Sequence, residues 1–301
     1  MSIVTWNCPL SSPLQARFSR RLRQLYPRLE REVLTHTAGG RPVEVLRLGQ
    51  GARQVLLTGG HHANETITGL MLWRFLEDYC RGVREGGCLF GFCCRWLYTH
   101  ATLHLIPLVN PDGADLVAGK LSLDSPEYQN ARELADTQPQ VPFPQGWKAN
   151  LAGTDLNLNY PARWDVAKEK KVRCPGPRDY PGDRPLNQPE TLALAEYTRR
   201  IRPQVMGAWH TQGGEIYGAR PDGSFPDQEL AERLSLVSGY PLRKVPPESA
   251  NAGFRDWFLQ EFDRPAFTIE AGLGENPLPL TDLPQLYQEN LPIFALLLAG
   301  L

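Results

Sequence analysis

His62 and Glu65 stand three residues apart in the run His62-Ala63-Asn64-Glu65. At the start of a helix, positions i and i+3 share a face, so an imidazole and a carboxylate can converge on one ion. A distant histidine would complete a His₂Glu set with a fourth position open to water, a ligand set of catalytic zinc sites. His210 ends the apolar run Met206-Gly207-Ala208-Trp209 and is the best-placed distant ligand. Read alone, an H-x-x-E pair is more often a surface hydrogen bond than a metal site. Glu270 follows Phe267-Thr268-Ile269 and precedes Ala271-Gly272. A carboxylate closing an apolar strand needs a partner or a task, because buried charge is costly. Its task would be that of a general base acting on water activated by the ion. A salt bridge to an arginine accounts for it equally well. The other histidines read as structural: His36 in a connecting segment, His100 and His104 alternating along a strand, His61 pointing away from His62.

These residues need a scaffold that ends several elements at one place. Residues 41–48 alternate polar and apolar types and predict a strand, and the more apolar 53–58 predicts an interior one. The latter runs into Gly59-Gly60-His61-His62, followed by helical periodicity over 65–79. Residues 101–109 predict a strand that ends in the turn-like Asn110-Pro111-Asp112-Gly113. Residues 119–171 read as a long decorated loop, and such loops often carry function. Helices are predicted over 188–200, 226–238, 251–262 and 283–298, and strands over 204–209 and 266–269. Residues 13–34 predict an N-terminal helical stretch broken at Pro27. Alternating strands and helices imply an α/β protein with helices on both faces of the sheet. No linker-like tract divides the chain, so residues 1–301 read as a single domain with the helical 1–34 packed on it. Sites in such sheets form at the carboxyl edge of the strands, where His62, Glu65, His210 and Glu270 gather.

Composition narrows the classes of function. Lys plus Arg is 32 and Asp plus Glu is 33, a net charge of −1. That balance excludes a sequence-independent nucleic-acid binder and attachment to an anionic membrane by charge alone. No basic-then-apolar leader is visible, and the apolar tail 291–301 is shorter than the roughly 20 residues a membrane helix needs. The six cysteines lack zinc-ribbon spacing, so reduced thiols in a cytoplasm are the expectation.

In order along the chain come G-G-x-H-x-x-E (59–65), N-P-D-G (110–113), D-L-N-x-N (155–159), His210, and T-I-E-x-G (268–272). This set resembles the zinc metallocarboxypeptidases of the carboxypeptidase A type, from about Tyr26 to the C-terminus. The resemblance implies an α/β/α sandwich with a mixed, mostly parallel sheet. It also implies one zinc ion held by His62, Glu65 and His210, with Glu270 as catalytic base. Residues 147–150, 154–164 and 175–190 look like the bacterial γ-D-glutamyl-L-diamino-acid endopeptidases, which cut peptidoglycan stem peptides at the diamino acid (meso-diaminopimelate or L-Lys).

Departures from the digestive pattern bear on specificity. Leu158 stands where that pattern has a carboxylate-gripping Arg, and Leu cannot form a bidentate ion pair. Asn157 remains as a hydrogen-bond donor to substrate. Lys148 occupies the place of the transition-state Arg and can act there as a point charge. No Tyr lies between Tyr240 and Glu270 to match the family's mobile tyrosine, and Phe254 is expected in that space without the hydroxyl. Arg163, Arg178 and Arg184 are candidates for the substrate's carboxylates. The resemblance thus implies a muropeptide or small-peptide substrate. The alternatives are a plain carboxypeptidase or deacylase of the same fold, or an inactive peptide-binding relative. Oligomeric state is left open.

Overall fold

Val55, Leu56 and Leu57 are all fully buried although consecutive residues of a strand face opposite ways. A strand covered on both faces must lie inside a sheet with helices above and below. The computed structural model describes residues 2–246 and 250–300; Met1, residues 247–249 and Leu301 lie outside it. In chain order its strands are β1 (Glu30–His36), β2 (Pro42–Gly49), β3 (Arg53–Thr58), β4 (Cys88–Leu89), β5 (Phe92–Cys93), β6 (Ala101–Ile106), β7 (Val205–Thr211), β8 (Glu215–Tyr217), β9 (Leu242–Arg243) and β10 (Ala266–Ala271). The helices are α1 (Ser12–Leu25), α2 (Thr66–Glu85), α3 (Cys94–His100), α4 (Pro111–Val117), α5 (Pro126–Ala135), α6 (Trp164–Lys170), α7 (Pro189–Ile201), α8 (Gln228–Ser238), α9 (Phe254–Phe262) and α10 (Leu283–Ala299).

Eight strands form one sheet in the order β1-β2-β6-β3-β7-β10-β8-β9, and β4-β5 is a separate hairpin. The centre, β6-β3-β7-β10, is parallel throughout. The sheet is mixed because β1 with β2, β2 with β6 and β8 with β10 pair antiparallel, while β9 follows β8 in parallel. Val55, Leu57, Trp209 and Ile269 face a core completed by α1, α2, α3, α8 and α10. Leu56, Met206, Ala208 and Ala266 face a second core completed by α7 and α9. The result is the expected α/β/α sandwich. Among the described residues, no helix is long and apolar enough to cross a membrane.

Three local expectations are corrected. The N-terminal stretch is helical only to Leu25; residues 30–36 form β1 at the sheet edge, with its first three residues exposed. Its half-polar sequence hides the strand period because an edge strand buries little. Asn110-Pro111 opens α4 instead of making a free turn: Pro111 sits in the first turn, and Asn110 Oδ1 accepts from Gly113 N at 3.0 Å. The 119–171 segment contains α5, α6 and a 3₁₀ turn at Leu156–Leu158, so it is only partly loop.

Asn150 pins that segment beside the strand ends. Its Oδ1 accepts from Ala152 N and Thr154 N, both at 3.1 Å, and its Nδ2 reaches Gln188 Oε1 at 2.9 Å and Glu190 Oε1 at 3.4 Å. Glu190 is buried, and among the described residues its Oε2 has no partner. Burial pushes its carboxyl up to about 7. The group is therefore protonated in the folded chain where the unfolded chain has already ionised. Its cost to stability grows as pH rises above the ordinary carboxyl value and is complete above about 7. Glu190→Gln should raise stability by about 2 kcal/mol at pH 8 and by little at pH 4. Denaturant melts at the two pH values check this; an equal gain at both would remove ionisation as the cause.

Candidate active site

The turn after β3 brings the first two residues in. Gly60 has φ +61°, a left-handed conformation that favours glycine, and a Cβ there would stand 2.8 Å from Leu108 Cδ1. Thr68 Oγ1 accepts from Gly60 N (3.0 Å) and donates to Glu65 O (2.7 Å), locking the turn to the first turn of α2. His62 thus lies in the turn and Glu65 is the N-cap of α2, one turn earlier than a helix-face pair. The third and fourth come from neighbouring parallel strands. Glu270 on β10 pairs with His210 on β7, and both point to the α9 side of the sheet.

His62 Nδ1 lies 2.9 Å from Glu65 Oε1, and His210 Nδ1 lies 3.0 Å from Glu65 Oε2 and 3.2 Å from His62 Nδ1. Ligands about 2.0–2.1 Å from a tetrahedral zinc stand roughly 3.3 Å from each other, so this spacing fits a zinc ion. Two imidazole nitrogens facing one another gain no hydrogen bond as neutral acceptors, which also suits a shared cation. His62, Glu65 and His210 are the group of three among the described residues that could hold a metal ion.

The surroundings orient this triad. His62 Nε2 faces Asp155 Oδ1 at 3.3 Å, leaving Nδ1 for the ion. Asp155 is itself held by Asn157 N (3.1 Å) and Asp179 N (3.4 Å). Burial opposes charge on His62, but the Glu65 and Asp155 carboxylates overcome it and lift the imidazole to about 9. Burial likewise works against ionised Asp155 and Glu65; the His62 charge, with Lys148 adding to it, holds both carboxyls well below the usual range. Asn276 Nδ2 donates to Glu65 Oε1 (3.2 Å), and Thr211 Oγ1 donates to Asn276 Oδ1 (2.6 Å). Asp155→Asn should weaken zinc binding about 10- to 100-fold with the fold intact. A chelator competition titration reads this, and unchanged affinity would leave Asp155 with a purely structural place.

His62 and Glu65 open on a cavity of about 250 Å³ that Lys148, Asn157, Leu158 and Glu270 also line. Lys148 Nζ stands 3.5 Å from Glu65 Oε1. Its backbone is stitched to the metal turn: its carbonyl accepts from Ala63 N at 3.0 Å, and its N donates to Pro177 O at 2.8 Å. Asn157 Oδ1 accepts from Phe254 N at 3.1 Å, which turns Nδ2 away from that contact. Burial, then the nearby Glu65 charge, raises the Glu270 carboxyl to about 8, with the His62 and Lys148 charges pulling the other way. Of the three arginine candidates, Arg178 lines this cavity, Arg163 lines a neighbouring one of about 510 Å³, and Arg184 is exposed.

A profile of the zinc carboxypeptidase family matches residues 16–292. The chain belongs to the zinc carboxypeptidase family. It is a zinc metallopeptidase, a hydrolase. This zinc carboxypeptidase-family chain is 38% identical over 288 residues to γ-D-glutamyl-L-diamino acid endopeptidase 1 of Lysinibacillus sphaericus, spanning 94% of this chain and 69% of that one. It is 34% identical over 274 residues to the uncharacterized protein YqgT of Bacillus subtilis (strain 168), spanning 89% and 71%. Among solved structures, bovine thrombin-activatable fibrinolysis inhibitor superposes with a TM-score of 0.76 at 17% identity, covering 98% of each chain; that likeness is one of fold.

The expected stand-in for the family's tyrosine is corrected. Phe254 is fully buried, its ring 5.5 Å from His61 and 5.0 Å from Tyr160, so it belongs to the second core. The aromatic hydroxyl lining the cavity is that of Tyr217 on β8, which donates to Glu215 Oε1. A three-residue strand leaves no periodic signal, so the sequence does not announce it. His61 does support the site: its ring stacks 5.7 Å from that of His210, and its Nε2 lies 3.3 Å from the Tyr160 hydroxyl. His104 is satisfied in the core by the Tyr197 hydroxyl (2.6 Å) and Gln54 Oε1 (2.7 Å).

Proposed function

We propose that this peptidase hydrolyses the γ-D-glutamyl–diamino acid amide bond of peptidoglycan peptides, the diamino acid being meso-diaminopimelate or L-Lys. The observation that carries the reading is likeness along nearly the whole chain to an enzyme named for that bond. Leu158 in the cavity wall supports it, since an apolar side chain there offers no grip for a terminal carboxylate.

In this reading His62, Glu65 and His210 hold the ion. Bound there, zinc supplies Lewis acidity toward water and toward the scissile carbonyl. Glu270 takes the proton of the attacking water on its carboxylate and passes it to the leaving amine. It must be ionised to start, and a cation beside it pulls its raised pKa back down. Lys148 Nζ offers a point charge to the carbonyl oxygen as negative charge develops there. Asn157 Nδ2 donates a hydrogen bond to the substrate. One domain supplies all these groups. The six free thiols suit a reducing cytoplasm, so the substrate is read as a peptidoglycan fragment inside the cell.

The test is a mass-spectrometric digest of L-Ala-γ-D-Glu-meso-diaminopimelate by the zinc-loaded protein. Release of free diaminopimelate is expected. No cleavage with zinc bound would overturn the reading and move attention to deacylation, to plain carboxypeptidase action, or to peptide binding without turnover.

A further inference from the structure

Cys88 and Cys93 face each other across the β4-β5 hairpin, and both thiols are free and exposed. Phe90 and Gly91 make the turn with φ of +45° and +81°, and two left-handed residues suit the twist of a two-residue hairpin. The register is Leu89 with Phe92 and Cys88 with Cys93. Leu89 is buried in the first core and Phe92 packs against it. Side chains alternate along a strand, so the two thiols stand together on the hairpin's other side. The next pair out, Gly87 with Cys94, carries a ladder bond from Cys94 N to Gly87 O at 2.9 Å. Ladder bonds skip alternate pairs, so Cys88 and Cys93 form a non-hydrogen-bonded pair, with Cα atoms about 4.5 Å apart and side chains close. A disulfide spans Cα atoms roughly 4.4–6.8 Å apart, so the hairpin holds these two thiols within bonding range.

The sulfurs differ in reactivity. Cys93 precedes α3 without a side-chain capping bond, yet the Trp96 and Arg95 amides, with the Arg95 charge, lower its thiol below the usual cysteine value. An exposed thiol that ionises readily is the attacking one. Cys94, next in sequence, is buried, and burial pushes its thiol up to about 11. α3 runs directly into the first residue of β6, so the hairpin lies at the amino edge of the parallel strands. His62, Glu65 and His210 gather at the opposite edge, and the thiols have no part in the hydrolytic chemistry.

We propose that Cys88 and Cys93 are a reversible modification site, a dithiol that closes to a disulfide by exchange with a small-molecule disulfide such as oxidised glutathione. The Cys93 thiolate attacks one glutathione sulfur; that S–S bond breaks and one glutathione leaves as thiolate. Cys88, its proton released to solvent, attacks the Cys93 sulfur and expels the second glutathione. Two protein thiols are oxidised to one disulfide, and one glutathione disulfide is reduced to two thiols that take up the two protons. In a reducing compartment the pair stays open and closes as the thiol pool is oxidised.

Zinc-loaded wild type, Cys88→Ser, Cys93→Ser and Cys94→Ala are equilibrated in glutathione buffers of graded oxidation, trapped by alkylation and mapped by mass spectrometry. Wild type and Cys94→Ala should form the Cys88–Cys93 disulfide within one chain, and Cys93→Ser should lose it. Cys88→Ser lacks the second thiol and should carry glutathione on Cys93 at roughly tenfold the wild-type level, because a neighbouring thiol at high effective concentration displaces it. Glutathione retained on Cys93 of the wild type, or an internal disulfide that survives in Cys93→Ser, would overturn the proposal. So would thiols left untouched in the most oxidised buffer, or a bond between two chains in place of the internal one. Fragment spectra of the wild type assign the bonded pair directly, which decides the matter even if circular dichroism shows a variant unfolded.

Discussion

Glu270→Gln should lower kcat about 10³-fold and leave one zinc per chain. Glutamine keeps the size and hydrogen-bonding reach of the side chain but cannot accept and return a proton. Positioned acid–base groups contribute roughly 10²–10⁴-fold, and this one acts twice, on the water and on the leaving amine. Zinc should stay because the three converging atoms that could hold the ion belong to His62, Glu65 and His210, with Glu270 beside them on the next strand. The substitution also removes a half-buried carboxyl that resists ionisation, so the variant should fold at least as well at neutral pH. Single-turnover rates by mass spectrometry and zinc by elemental analysis read both arms. Near-normal turnover would sink the proton-transfer role.

His210→Ala should remove the metal itself. His210 contributes one of three converging atoms, from a ring that is 2% exposed. Alanine leaves His62 and Glu65, two ligands from one short turn. The loss of affinity should exceed the roughly 10- to 100-fold that follows loss of a supporting partner. His62, 2.9 Å from Glu65, and Lys148, 3.5 Å from it, stay as the carboxylate's cationic neighbours in the variant. Equilibrium dialysis checks this; wild-type zinc affinity would take His210 out of the ligand set.

The candidate metal-holding residues were legible because His210 ends an apolar run and His62 and Glu65 stand three apart just after another, where polar side chains stand out. The fold class was legible for the same reason: β3, β6, β7 and β10 are apolar runs separated by helical periods. What stayed hidden depends on tertiary placement. Asp155 lies inside a motif read from the sequence, but its contact to His62 Nε2 closes over 93 residues of chain. Tyr217 sits on a strand too short to carry a period, and β1 is too exposed to show one. Phe254 was expected at the cavity because no tyrosine was near in sequence; the core took it because an apolar ring gains more from burial than from lining a polar wall.

The pairing of β7 with β10 separates two kinds of inheritance. His210 and Glu270 ride on central strands whose register, once slipped by a residue, would turn both away from the site. Lys148 and Asn157 ride on connecting segments. Mutations to the strands are therefore tested first by folding, and mutations to the connections first by substrate. A lineage built on this scaffold can drift in what it cuts while keeping how it cuts, because the two properties are carried by parts of the chain under different selection.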